Sequence, residues 1–102
     1  MTLDAARHQP RWQSTGDKQF PFVADVAGAW WVLRLNHGFP EQNLYTLFVG
    51  KAAVADFTPD RGSDMPLLAT APHPNDPVTR VDADSAAAAI SPLSGFVEYG
   101  SE

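Results

Sequence analysis

Tyr45 and Asp56 are the two polar side chains in this sequence best placed to act together, because the dipeptide Gly50-Lys51 lies between them. Glycine at the first central position of a two-residue loop suits a type II′ hairpin. That turn pairs Val49 with Ala52, Leu47 with Val54 and Tyr45 with Asp56 on one face. On the other face it pairs Phe48 with Ala53, Thr46 with Ala55 and Leu44 with Phe57. A carboxylate at the end of an apolar face has its pKa raised unless it is hydrogen-bonded. Tyrosine can supply that bond, which makes a satisfied polar pair at the rim of a core. The functional version makes Asp56 a general base in a pocket, with Tyr45, His37 and Arg34 as its polar neighbours.

Trp30, Arg34, Phe48 and Phe57 form a second constellation. Tryptophan, arginine and other aromatic residues are enriched at binding hot spots. They also pack routinely, with an arginine stem lying on an aromatic ring. The candidate interface is therefore these four residues, and the candidate pocket groups are Tyr45, Asp56 and His37.

Other chemistry finds little support. His8, His37 and His73 fall in three separate segments, with no HxxxH or HxH spacing of the kind a metal site uses. Asp82-Ala83-Asp84-Ser85 begins like a calcium loop but has Ala87 at the sixth position and Leu93 at the twelfth, where glycine and glutamate belong. Helix capping accounts for Asp82 and Asp84, and turn formation for Asp60 and Asp64. No glycine-rich phosphate loop is present, and Ser94-Gly95 lacks the first glycine of a nucleophile elbow. The sequence implies no cofactor, no metal and no catalytic motif.

The elements that must position these residues lie in Ala29–Thr58. Apolar residues there occupy both faces of three predicted strands, 29–36, 44–49 and 52–57, whereas a solvent-backed antiparallel sheet alternates apolar with polar. If the 37–43 loop closes with Asn36 opposite Leu44, Trp31, Leu33, Leu35, Tyr45, Leu47 and Val49 share a dry face. Trp30, Val32, Arg34, Asn36, Thr46, Phe48 and Phe57 share a mixed one. A one-residue slip would exchange the two assignments for the strand 29–36.

Around this hairpin unit the reading is coarser. Thr2 suits a cap for a short helix over 3–8, and Trp12 should dock on the body. Phe20–Asp25 reads as an edge strand because Pro21 cannot donate to a ladder. Asp25-Val26-Ala27-Gly28 suits a type I turn with a bulge at Gly28. Five of the nine prolines lie between Pro59 and Pro77, which breaks regular structure there, with a short edge strand over Pro66–Thr70. Asp82 caps a helix over 83–91 whose inward face is Ala83, Ala86, Ala87 and Ile90. Phe96–Tyr99 is a last short strand.

The fold class that follows is α+β: an antiparallel meander of four to five strands, one Ala-rich helix packed on one face, and a long Pro-rich connection. The 102 residues read as a single domain, 1–102, with a partly irregular segment at 1–19 and the connection at 59–81. The chain is 44% hydrophobic and 19% charged, has no cysteine, and carries no apolar run of the roughly 20 residues that span a bilayer. With no signal-peptide core at residues 1–16, it reads as soluble and cytoplasmic.

The net charge of −5 is unevenly placed: residues 52–102 hold eight acidic groups against two basic ones. Such a half repels phosphate backbones, which argues against nucleic acid and suits a basic protein partner. The function expected is a non-enzymatic binding module working through the aromatic sheet face, on another copy of itself or on a protein partner. The alternative is a small enzyme or ligand-binding domain with its pocket between sheet and helix or at a dimer seam. Whether the amino-terminal segment and the proline-rich arm cover the second face decides between a self-contained monomer and an interaction module.

Overall fold

A computed structural model describes residues 7–96. Its centre is a five-stranded antiparallel sheet in simple meander order, β1 (Gln13–Ser14), β2 (Phe22–Val26), β3 (Ala29–Leu35), β4 (Tyr45–Val49) and β5 (Ala52–Phe57). Two short helices follow, α1 (Pro66–Thr70) and α2 (Ala83–Ile90), and a 3₁₀ helix, Ser91–Phe96, continues from α2. The architecture is α+β.

The β3–β4 register is the one the 37–43 loop implies. Leu35 faces Tyr45 and Trp31 faces Val49, and the Asn36 N–H donates to the Leu44 carbonyl at 2.8 Å. At the next turn Gly50 has φ of +60°, as a type II′ loop requires of its first central residue. The turn before β3 differs from expectation. Val26 pairs directly with Ala29, leaving the two-residue loop Ala27-Gly28 with φ of +52° and +84°. Two successive left-handed residues make a type I′ shape, whose twist matches the strands better than a type I turn. The Asp25 carboxylate accepts the Gly28 N–H at 3.1 Å and fixes the loop.

Both faces of the sheet are packed from within the chain, the second one except toward β5. Phe22, Ala24, Trp31, Leu33, Tyr45, Leu47 and Phe57 line the first face, and Trp12, Leu67 of α1 and Ala71 close over them. The amino-terminal segment and the proline-rich arm therefore cover this side. Val23, Val32 and Phe48 line the second face beneath Ala86, Ala89 and Leu93, with Phe20 and Val81 completing the layer. Leu33, Leu47, Phe48, Leu67 and Leu93 are fully buried, so each layer gains the few kcal/mol per large side chain that complete burial supplies (about 1.5–3).

Asp82 caps α2 as its sequence implies, its carboxylate accepting the Ser85 N–H at 2.9 Å. The helix is turned from the expected face, since Ala86 and Ala89 are buried while Ala83 and Ala87 are exposed. Ile90 is half-buried beside them. Pro66–Thr70 is a helix, correcting the strand expected there. Proline at the first helical position costs no hydrogen bond, and the Thr70 hydroxyl donates back to the Pro66 carbonyl at 2.7 Å. The strand beginning near Phe20 is not an edge, because β1 pairs outside it through Gln13–Val23 and Ser14–Phe22. Ser14 in turn lies against the segment before α2: its N–H donates to the Thr79 carbonyl, and its carbonyl accepts the Val81 N–H, both at 2.9 Å. The helix expected over 3–8 and the strand over 96–99 fall largely outside the described residues, although Phe96 itself ends the 3₁₀ helix.

Candidate functional site: a polar row on the second sheet face

A β-bulge decides which side chains meet. The β4–β5 pairing begins as the turn dictates, with Val49 opposite Ala52 and Phe48 opposite Ala53. It then shifts between Leu47 and Phe48, so that Leu47 faces Ala55, Thr46 faces Asp56 and Tyr45 faces Phe57. Val54 is the extra residue on β5. A bulge of this kind changes the facing of everything beyond it.

The expected Tyr45–Asp56 pair is thereby undone. The Tyr45 ring lies in the first core, edge-on to Phe22 at 6.3 Å and tilted against Phe57 at 6.0 Å. Its hydroxyl donates to the Pro72 carbonyl at 2.8 Å. Burial, with the Asp76 charge as a smaller contribution, pushes the phenol well above its ordinary pKa of 10.0. Tyr45 therefore stays neutral and pins the proline-rich arm to the sheet. Phe57, expected beside Trp30, Arg34 and Phe48, is on the opposite face for the same reason.

Asp56 instead joins a row that crosses three strands. Arg34, Thr46 and Asp56 are successive cross-strand partners on β3, β4 and β5. The Thr46 hydroxyl donates its one proton to Asp56 Oδ1 at 2.6 Å. It accepts from Asn36 Nδ2 at 3.0 Å and from Arg34 Nη2 at 3.1 Å. Arg34 also donates to Asn36 Oδ1 through Nε at 3.2 Å and Nη2 at 3.0 Å. Asn36 passes the chain on to the Asn43 carbonyl, where Nδ2 donates at 3.1 Å. Asn36 and Thr46 are buried, Arg34 is half-buried and Asp56 is exposed, so the network runs from the interior to solvent.

Of the aromatic constellation, the structure brings together Arg34 and Phe48. The guanidinium carbon sits 5.6 Å from the Phe48 ring centroid, within cation–π range. Phe48 itself is buried beneath α2, and Trp30, half-buried, packs at the margin of the same cluster. The helix thus covers Val23, Val32 and Phe48 but stops short of β5, where Ala53 and Asp56 remain exposed. What is open on this face is a strip made of Trp30, Arg34, Ala53 and Asp56. Sequence reasoning placed Asn36, Thr46 and Ala53 on this face but did not name them as members of the site. The polar residues Asn36 and Thr46 amid apolar strands were the available signal.

His37 is exposed in the loop after β3. His8 lies edge-on to Trp31 at 5.0 Å. The main-chain N–H of His73 donates to Asp76 Oδ2 at 2.9 Å. Among the described residues no three histidine or carboxylate groups converge as a metal ion would need, and no helix is long and apolar enough to cross a membrane.

Three surface grooves stand out. One runs between α2 and the turn after β1, lined by Thr15, Gly16, Asp17, Ala86, Ala87 and Ile90. A second lies between α1 and the arm, lined by Arg61, Thr70, Pro72 and Asp76. The third, of about 530 Å³, adjoins the polar row at Asp56 and continues past Asn43, Asp60, Met65 and Leu68. None of these three grooves unites Asp56 with Tyr45, His37 or Arg34. Compared with protein-family models, with characterised proteins and with solved structures, the chain matches none.

Proposed function

We propose that this protein is a non-enzymatic binding module of the cytoplasm that engages a protein partner through β5 and the adjoining open strip of the second sheet face. The supporting observation is the state of β5. It is the last strand of the sheet, and among the described residues nothing pairs with its outer edge. Its side chains Ala52, Ala53, Val54 and Ala55 are small, uncharged and at least partly exposed. A free edge presents a row of unpaired main-chain groups, and proteins that do not use such an edge usually guard it with charge or keep it very short. β5 is six residues long and carries one charge, Asp56. Trp30 and Arg34, residue types common at hot spots, lie on the same open strip two strands in, on β3. The polar row holds Arg34 and Asp56 in place before a partner arrives, which lowers the ordering cost of binding.

Site-directed photo-crosslinking in cells tests this reading. A benzophenone side chain replacing Ala53 should yield defined crosslinked products, while the same group replacing Ala88, exposed on α2, should not. Equal crosslinking at the two positions would remove the case for β5. A product of twice the chain mass would make the partner a second copy.

A further inference from the structure

We infer that the partner adds an extended strand to the edge of β5 and places a lysine or arginine side chain in the groove beside it. This rests on the binding reading above and specifies the chemistry of the occupant. The groove begins at Asp56, the exposed end of the polar row, and passes Asp60. Asp56 receives a hydrogen bond at Oδ1 from Thr46. Among the described residues Oδ2 accepts none, and a carboxylate has capacity for about four such bonds. Asp60 uses Oδ1 to accept the Gly62 N–H at 3.0 Å.

Beyond the two carboxylates the wall carries apolar side chains, Met65 and Leu68. Leu68 is half-buried and Met65 is 43% exposed, one of two large hydrophobic side chains that the described surface leaves so open. A long side chain with an aliphatic stem and a cationic head fits this order of surfaces, because such side chains bury the stem and keep the head in a polar setting. The Arg61 guanidinium is turned toward Asp76 at 3.4 Å. Arg34, bonded to the same Thr46 hydroxyl as Asp56, offsets part of the Asp56 charge, and Asp60 keeps the groove negative.

Charge also selects between occupants. The chain carries −5 overall, with eight of its twelve acidic groups in residues 52–102. A second copy docked edge to edge would bring like charge to like charge, which disfavours that pairing. A basic segment gains from the same field. Strand addition supplies affinity through main-chain bonds, and a side-chain pocket beside the edge supplies specificity.

The test is selection of a random dodecapeptide display library against the intact chain, followed by binding of the enriched synthetic peptides. Enriched peptides should carry lysine or arginine at one fixed position within a β-forming context. Asp56→Asn or Asp60→Asn should each weaken them by roughly fivefold at low salt, and by less as salt rises. Asparagine keeps the oxygen that accepts from Thr46 or from Gly62, so both variants retain the fold. Ala53→Pro should abolish binding while leaving the sheet intact, since the hairpin closes at Val49–Ala52 and directs the Ala53 N–H outward.

Peptides that lose to Ala53→Pro yet carry no basic residue would overturn the basic occupant and leave the binding reading standing. A dimer in light scattering that Ala53→Pro converts to monomer would overturn it in favour of a second copy. No enrichment over an unrelated protein would remove both readings.

Discussion

The Thr46 hydroxyl and the Asp56 carboxylate are joined at 2.6 Å across β4 and β5, and they meet because Val54 is an extra residue in β5. Without that bulge Asp56 would face Tyr45 and point into the apolar layer. With it, the carboxylate reaches solvent and the phenol reaches Pro72. One residue of register thus separates a buried, unpaired carboxylate from an exposed, bonded one.

Thr46 is the hub of the row, so Thr46→Val is expected to destabilise the protein by about 1–3 kcal/mol, the cost of leaving buried polar groups unsatisfied. Asn36, buried beside it, loses one of its partners in the same step. Chemical denaturation measures the effect. A change below half a kcal/mol, roughly the scatter of an inert surface substitution, would mean that the row is not coupled.

Tyr45→Phe removes the bond to Pro72 while keeping the ring in place, and should cost about 1–2 kcal/mol. It should also alter the alkaline limb of stability. The folded phenol ionises above its ordinary pKa of 10.0, so above that pH the unfolded chain releases a proton that the folded chain keeps. Stability is therefore full below the ordinary value and declines as pH rises past it. Thermal unfolding from neutral pH upward should show a shallower decline for Tyr45→Phe than for the wild type.

Asp82 carries the opposite sign. Hydrogen bonding from Ser85 to its carboxylate, chiefly from the main-chain N–H, holds its pKa below the ordinary carboxylate value of 3.8. The cap's contribution is present above that value and is lost as pH falls through the lower folded one. Asp82→Asn should keep the cap and remove its acid dependence, whereas Asp82→Ala should weaken α2 at every pH. Helical circular dichroism between neutral and acidic pH separates the two outcomes.

Ala27 sits at φ of +52° with a side chain that gains nothing there. Asparagine tolerates the left-handed region and makes the Asn-Gly pair preferred in type I′ loops. Ala27→Asn should stabilise the hairpin by about 0.5–1 kcal/mol, with a higher melting temperature as the readout. A neutral or lower value would show that the loop carries no strain.

Where local chemistry dictated geometry, it was readable from residues alone. Gly50-Lys51 announced its hairpin, Asn36 opposite Leu44 set the β3–β4 register, and Asp82 marked the start of α2. The bulge left no such mark. Ala52, Ala53, Val54 and Ala55 are small side chains that resist a register slip only weakly, so the shift is decided by how Phe57 and Asp56 partition between core and water. Phe57 takes the dry side and Asp56 the wet one, reversing two of the candidate site residues together. α1 was also hidden: five residues beginning with proline look like broken structure until Leu67 finds the core. β1 is shorter still and owes its place to Thr79 and Val81, which lie some 65 residues further along the chain.

That last contact, in which Ser14 is held by Thr79 and Val81, bears on stoichiometry. Open-ended stacking of sheets into a fibre needs two accessible sides, so that each arrival exposes a fresh template for the next. Here one side is already occupied by the chain's own segment. A strand joining β5, as proposed above, meets a sheet whose opposite edge is covered at Ser14 by the chain's own segment, which disfavours growth from both sides.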